Sequence, residues 1–398
     1  MNEARRQAYL NLIDSLLTCP SKEQIPILQA NLELIDDNFA QFLREWATQT
    51  VATLDAEIAY NLANILHDLG ISFYNLRQGS RASNLEIMIA CLESGLTIVI
   101  REDYSEKWAM FQNSLGIAYL YRIKGEKAEN LERAIAAFLA SLTIYTHEAF
   151  PFEWATTQNN LGAAYSDRIR GEEAENLERA ITAFLASLEI YNPEVFPFEW
   201  ATTQNNLGLA YLYRIRGEKA ENLERAIAAF LASLEIYTPE VFPFEWARSQ
   251  NNLGNAYNNR IRGEKAENLE RAIAACLASL EIYTREAFPE NWANSQNNLG
   301  AAYSNRIRGE KAENLERTIA AYQASLEIYT REAFPEDWAR SQHNLGEAYR
   351  NRIRGEKAEN LERTIAAYQA SLKIYTREAF PEDWARSQNN LGNAYSDR

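Results

Sequence analysis

Seven of the eight tryptophans recur at intervals of 46 residues, and this period constrains the fold more than any other feature of the sequence. Each begins a near-copy of one passage, as in Trp200-Ala-Thr-Thr-Gln-Asn-Asn-Leu-Gly followed by Arg214-Ile215-Arg216-Gly217. A fixed period of this length predicts a stack of similar units that each contact only their neighbours. Such stacks present long surfaces, which favours binding over catalysis. The seven are Trp108, Trp154, Trp200, Trp246, Trp292, Trp338 and Trp384.

The unit from residue 197 to residue 242 predicts a first helix, helix A. Pro197 suits the first helical turn, and Gly217 suits the position just after the helix. The cations Arg214 and Arg216 would then lie in the last turn, where they complement the helix dipole. The apolar stripe expected on helix A consists of Trp200, Leu207, Tyr211 and Ile215.

A second helix, helix B, is predicted to follow, with Asn222 as its N-cap. Thr238-Pro239 would end it. Its apolar residues step by four and three, so this helix also has one face to bury. Each repeat is therefore predicted to be an antiparallel helix pair. The apolar face consists of Leu223, Ile227, Phe230, Leu234 and Tyr237.

The period sets the expected domain boundaries. Residues 1–54 lie off the register and predict an N-terminal helical cap of two or three helices, broken at Cys19-Pro20 and near Pro26. Residues 55–100 predict a degenerate first repeat, residues 101–380 predict six 46-residue repeats, and residues 381–398 predict a terminal helix A. That helix is either a cap or half of a repeat that continues. We expect it to continue, because Trp384, Leu391 and Tyr395 keep the apolar character of the earlier copies.

Charge and composition exclude several classes of function. The formal net charge of −15 argues against nucleic-acid and membrane-surface partners, which usually require a basic patch. The three cysteines are scattered, and Cys276 occupies a position that is aromatic in other copies, so we expect a buried apolar residue there. No metal-ligand spacing, nucleophile–base pairing or phosphate loop is apparent. We expect a cytoplasmic protein that is not an enzyme and has no cofactor and no metal.

The repeat resembles the tetratricopeptide repeat (TPR). Leu161, Gly162 and Tyr165 match the family pattern on helix A, and Ala180 and Phe184 match it on helix B. The family unit has 34 residues, so each copy here contains two insertions of six, one in each connection. The resemblance implies an all-α, right-handed TPR-like superhelical solenoid of antiparallel helix pairs. It also implies a concave groove that binds a protein or a peptide.

The 46-residue repeat more narrowly resembles those of cyanobacterial proteins whose TPR arrays precede a CHAT domain, a caspase-like protease. The segment from Ala8 to Ile13, together with Cys19-Pro20, resembles the leader of that group. The resemblance implies the sensor or substrate-recruiting arm of a CHAT-type system, without its protease half. Head-to-tail self-association into oligomers or filaments is the alternative.

Two sets of helix A residues are candidates for contact with a partner. The first is an asparagine column two residues before each Leu-Gly, whose side chains offer both a donor and an acceptor to an extended peptide. The second varies between copies at positions that face the groove in TPR folds. The alternative for the column is hydrogen bonding within the scaffold. The alternative for the variable positions is that exposed residues drift freely between copies. The column is Asn113, Asn159, Asn205, Asn251, Asn297, His343 and Asn389, and the variable candidates are Leu209, Asn255, Asn258, Glu347 and Arg350.

Two further columns have structural interpretations. The asparagines next to the first column, such as Asn160 and Asn252, are expected to hydrogen bond between helices. The Arg-Ile-Arg-Gly edge could hold phosphates. For Arg168 and Arg170 we prefer complementation of the helix dipole and ion pairs with Glu172 and Glu175.

Overall fold

The computed structural model describes residues 1–398 and contains eighteen α-helices and no strand, which confirms the all-α prediction. The chain divides into two compact units, Met1–Asn192 and Pro193–Arg398. The division lies between two helices of the 46-residue array. Each unit is described by itself below.

The first unit begins with three helices around an aromatic core. They are α1 (Glu3–Thr18), α2 (Ser21–Gln29) and α3 (Asp37–Val51), with a single 3-10 turn at Leu32–Leu34. The chain breaks at Cys19-Pro20 as expected, whereas Pro26 lies inside α2 and does not end it. Tyr9 and Phe39 are fully buried, and their ring centroids are 5.1 Å apart.

Six more helices complete the first unit, and consecutive helices pack as pairs. The bounds are α4 (Ala56–Asn75) and α5 (Arg81–Leu96), α6 (Ser105–Leu120) and α7 (Lys127–Ser141), and α8 (Pro151–Ser166) and α9 (Glu173–Ser187). The first member of each pair is helix A and the second is helix B.

The second unit contains four such pairs and one further helix A. The bounds are α10 (Pro197–Tyr213) and α11 (Lys219–Ile236), α12 (Pro243–Asn259) and α13 (Lys265–Ile282), α14 (Pro289–Asn305) and α15 (Lys311–Leu326), α16 (Pro335–Asn351) and α17 (Lys357–Ser371), and finally α18 (Pro381–Asp397).

Helix A ends earlier, and helix B begins earlier, than the sequence predicts. Helix α10 starts at Pro197 as expected but ends at Tyr213, so Ile215 lies outside the helix with 57% of its surface exposed. Gly217 has a φ of 81° and forms the turn that follows. The predicted N-cap, Asn222, is wrong, since Glu218 holds that position and Asn222 is buried inside α11.

The equivalent residues in the next copy show why the helix stops. Arg260 leaves the helix so that its guanidinium can donate to both carboxylate oxygens of Glu224, at 2.8 and 2.7 Å. It also donates to the Asn268 side chain, whose amide in turn donates to the carbonyl of Arg262 at 2.8 Å. The buried asparagine therefore closes the loop between the helices, and the arginine joins its repeat to the preceding one.

In most copies, the helix A glycine allows an aromatic ring of helix B to approach closely. A Cβ added at Gly208 would lie 2.7 Å from the ring of Phe230, and one added at Gly162 would lie 2.6 Å from the ring of Phe184. Cys276 fills the same position in another copy, where it is fully buried as expected, and burial raises the pKa of its thiol to about 12. The glycine thus sets the distance between the paired helices.

The repeating tryptophans are half-buried at the start of helix A. The ring of Trp154 meets His147, in the preceding connection, edge to face at a centroid distance of 4.9 Å. In a later copy, the Arg377 guanidinium of the preceding connection lies over the Trp384 ring, 5.8 Å from the ring centroid. The tryptophan therefore fixes the connection to its own helix A.

We predict opposite effects for two substitutions of the same repeat glycine. Gly208→Val should lower the free energy of unfolding by about 1–3 kcal/mol, because the added atoms collide with Phe230 in a packed interior. Gly392→Ala, at the same position in α18, meets no atom within 4 Å and should stabilise the helix by about 0.5–1 kcal/mol. Urea unfolding of both variants checks this. Equal destabilisation by both would contradict the close-approach role.

Candidate binding groove on helix A

The asparagine column lies on helix A with a wide range of exposure. Asn205, Asn251, Asn297 and His343 are buried, with 2%, 8%, 5% and 4% of their surface exposed. Asn113 and Asn159 are half-buried, and Asn389 is exposed.

The buried members hydrogen bond to the next helix A. The Asn205 carbonyl oxygen accepts from the Ser249 hydroxyl at 3.1 Å. Asn297 donates to the Ser341 hydroxyl, and His343 Nδ1 lies 2.8 Å from the Ser387 hydroxyl. These side chains hold adjacent A helices together, and this contact uses the polar groups that were candidates for a ligand.

The neighbouring column pairs with the first one, which confirms its predicted role between helices. Asn160 donates to Asn113 at 3.3 Å, and Asn252 donates to Asn205 at 3.2 Å. Within each unit, the two columns together form amide hydrogen bonds between neighbouring repeats.

Burial lowers the pKa of His343, the one histidine in the column. Desolvation, with a smaller contribution from the nearby Arg386 cation, lowers the pKa of His343 to about 4. Its ring packs against Tyr368 at a centroid distance of 5.3 Å. At neutral pH His343 is therefore an uncharged hydrogen-bonding residue, as the asparagines are.

The variable candidates retain accessible surface. Leu209, Asn255, Asn258 and Arg350 are half-buried, and Glu347 is exposed. Some of them also contact the scaffold. Asn258 accepts a hydrogen bond from Asn305 at 3.1 Å, Asn255 accepts one from Asn259 at 2.8 Å, and Arg350 pairs with Asp397 at 2.8 Å.

A polar cavity of about 280 Å³ lies between α12 and α14 of the second unit. Arg248 lines it, and its Nε is buried without a hydrogen-bond partner. Arg248 is not among the candidate residues that the sequence indicates. The other lining residues are Asn251, Asn252, Tyr283, Glu290, Asn291, Asn294 and Tyr329.

The arginine edge pairs with the preceding repeat. Arg168 donates to both oxygens of Glu132 at 2.8 and 2.9 Å, and Arg170 lies 3.2 Å from Glu129. The predicted partners Glu172 and Glu175 are therefore wrong as partners of these arginines. Helix A ends before these arginines, so their side chains reach helix B of the preceding repeat.

No group of three or more His, Cys, Asp or Glu side chains is placed to hold a metal ion. None of the helices has the length and apolar character needed to cross a bilayer.

Comparisons with known proteins identify the repeat. Residues 154–183, 246–282, 292–331 and 338–376 match the family model of the tetratricopeptide repeat, and together they make up less than half of the chain. A search of the curated proteins gave no match.

Solved structures of helical repeats are similar to this chain. One chain of the APC/C hetero-tetramer Cut9-Hcn1 is 15% identical, with a TM-score of 0.51 over 95% of this chain and 61% of that chain. This chain thus spans less than two thirds of that protein chain. The P58(IPK) TPR domain is 12% identical, with a TM-score of 0.29 over 98% of this chain and 99% of the other. A circular tandem repeat protein is 16% identical, with a TM-score of 0.29 over 99% and 96%. The family matches and the helix pairs described above show an all-helical, TPR-like fold in which four segments are similar to the tetratricopeptide repeat.

Proposed function

We propose that this protein is an interaction scaffold that binds a peptide or protein partner along the exposed surface of its A helices. The proposal rests on the positions at which the amino acids differ between the copies. Accessible helix A positions change chemistry from Leu209 to Asn255 to Glu347, while the residues that join the helices barely change. Surfaces of stacked repeats that vary in this way suit recognition of an extended partner.

The burial of the candidate residues refines this proposal. Leu209, Asn255, Asn258, Glu347 and Arg350 would contact the partner, together with the accessible members of the asparagine column, Asn113, Asn159 and Asn389. Asn205, Asn251, Asn297 and His343 would support the surface by holding the A helices in register.

A pull-down with matched variants tests the groove. The wild type, a groove variant Leu209→Glu and a control variant Leu231→Glu are immobilised and exposed to native lysate. Leu231 has 44% of its surface exposed and lies on helix B, so its substitution adds the same charge away from the groove. We expect a partner that the wild type and the control retain and that Leu209→Glu loses. Identical captured proteins for all three would overturn the proposal.

Within this function, we propose that the scaffold is the sensor or recruiting arm of a CHAT-type protease system. The resemblance of the 46-residue repeat and of the leader segment supports this finer role. Mass spectrometry of the groove-dependent partner tests it. A protease substrate or a signalling component would support the role, and a partner with no link to proteolysis would count against it.

Self-association is a second candidate, and the open face of α18 favours it. Tyr395 is 47% exposed, whereas the equivalent Tyr349 is 5% exposed, and no atom lies near the missing Cβ of Gly392. Another copy of the chain could cover this face, and a contact of this kind that does not close gives filaments. Light scattering should then show growth with concentration that Tyr395→Lys abolishes. A monomer at every concentration would exclude this candidate.

A further inference from the structure

We infer that an edge of the second unit, formed by residues 193–199 and 239–245, docks a partner segment in which an apolar side chain lies between basic ones. The two segments have the same sequence, Pro-Glu-Val-Phe-Pro-Phe-Glu, and we call them the aromatic edge. They lie at the N-terminal ends of α10 and α12, whereas the variable candidates Leu209 and Asn255 lie near the C-terminal ends. The inference therefore concerns a second surface and does not depend on the function proposed for the first.

Ring contacts join the two segments into one surface. The centroid of Phe198, in the first turn of α10, lies 5.4 Å from that of Phe242 and 6.0 Å from that of Tyr237. Phe244 continues the row in α12, where its centroid lies 5.3 Å from that of Phe288. These contacts hold the rings in place, so little further ordering is needed when a partner binds.

Large apolar side chains are exposed on the aromatic edge. Phe198 has 41% of its surface exposed, and Val195 and Val241 have 64% and 66%. An exposed apolar patch with a polar rim is typical of an interaction site. The later copies of the second unit have an alanine in place of the valine, at Ala287, Ala333 and Ala379.

The rim of the aromatic edge is acidic. Neither segment contains a Lys, Arg or His, and each has two glutamates, which form no ion pair. In the next copy Arg285 stands in place of Pro239, and it pairs with Glu327 at 2.6 Å. The first cation after the second segment is Arg248, which lines the polar cavity between α12 and α14. The four glutamates are Glu194, Glu199, Glu240 and Glu245.

This combination fits a segment that has an apolar residue between lysines or arginines. The apolar side chain would cover the valines and Phe198, and the basic side chains would reach the glutamates on both sides. Lysine and arginine bury their aliphatic stems along apolar surface, and their charged ends are attracted to aromatic faces. The same carboxylates would repel an anionic membrane surface.

Fluorescence anisotropy with a labelled peptide of about ten residues tests the inference on the full chain. In this probe leucine alternates with lysine. One comparison peptide has glutamate in place of lysine, and another has serine in place of leucine. We expect the probe to bind with an affinity that falls as salt is added, and both comparison peptides to bind at least about tenfold more weakly.

Two double variants assign the binding to the aromatic edge. Val195→Ser with Val241→Ser leaves the net charge unchanged, and Glu194→Gln with Glu240→Gln removes two negative charges. Each double variant should weaken binding of the probe at least about fivefold, because apolar contact and charge both contribute. All four residues are exposed, so the substitutions leave the core intact, and circular dichroism verifies folding.

The matched control removes the same charge from the later copies. Glu286→Gln with Glu332→Gln, where an arginine precedes each glutamate, should change binding of the probe less than about twofold, and so should Leu209→Glu. Equal weakening by this control and by the edge variants would show unspecific attraction to an acidic chain and overturn the inference. Unchanged binding by the valine variant, loss of binding in Leu209→Glu, or tighter association with neutral phosphatidylcholine vesicles than with the probe would also overturn it.

Discussion

Phe230→Ala is expected to lower the free energy of unfolding by about 3–5 kcal/mol, the range measured for buried aromatic truncations. Phe230 is 0% exposed, and its ring fills the space left by Gly208 between α10 and α11. Because each repeat contacts only its neighbours, the loss should fall first on this helix pair. Hydrogen exchange in low denaturant measures this loss of stability. In the variant, amide exchange in residues 197–236 should accelerate more than amide exchange in α16.

The adjacent residue provides the control. Leu231→Ala removes an apolar side chain of similar size that is 44% exposed, and it should change stability by less than about 0.5 kcal/mol. A uniform acceleration of exchange through the whole second unit in Phe230→Ala would contradict the nearest-neighbour account.

Acidification between pH 6.5 and pH 4 is expected to destabilise the end of the second unit through His343. Burial lowers the pKa of this residue in the folded state from 6.5 to about 4, so the unfolded chain binds the proton more tightly. The stability is therefore fully present above pH 6.5 and is lost as the pH falls toward 4. The loss at pH 4 is roughly 3 kcal/mol, and it should first release α18, which His343 contacts through Ser387.

His343→Asn is the matched variant, because asparagine stands at this position in the other members of the column, from Asn113 to Asn389. Denaturant unfolding at pH 7, 5.5 and 4 should show the pH-dependent loss in the wild type and a smaller loss in the variant. Glu224, Glu270 and Glu316 have lowered pKa values from their arginine partners, so both proteins should lose further stability below about pH 4.5. Parallel pH profiles would refute the role of His343.

Much of the fold follows from local signals in the sequence. Pro197 sets the start of helix A because its fixed φ suits the first turn, and the buried residues Leu223, Ile227 and Phe230 follow the helical period. The end of helix A could not be predicted in this way. Arg260 leaves the helix to reach Glu224, 36 residues earlier, and a contact across repeats has no local sequence signal.

The sequence alone also did not show which candidate residues are available to bind a ligand. The period identifies the asparagine column, but an isolated side chain does not reveal whether its partner is a ligand or the next helix. Asn205 hydrogen bonds to Ser249 and Asn252, which stand 44 and 47 residues later. Arg248 looks like Arg340 in the sequence, and only the packed structure shows that one is paired and the other is not.

The ion pair between Arg260 and Glu224 recurs one period later between Arg306 and Glu270, and again between Arg352 and Glu316. These three junctions of the second unit therefore use the same donor and the same acceptor. Loss of one 46-residue segment by recombination would bring Arg306 opposite Glu224 and restore the pair without any new mutation. Gain or loss of whole repeats can thus change the length of the A-helix surface while each remaining junction keeps its ion pair.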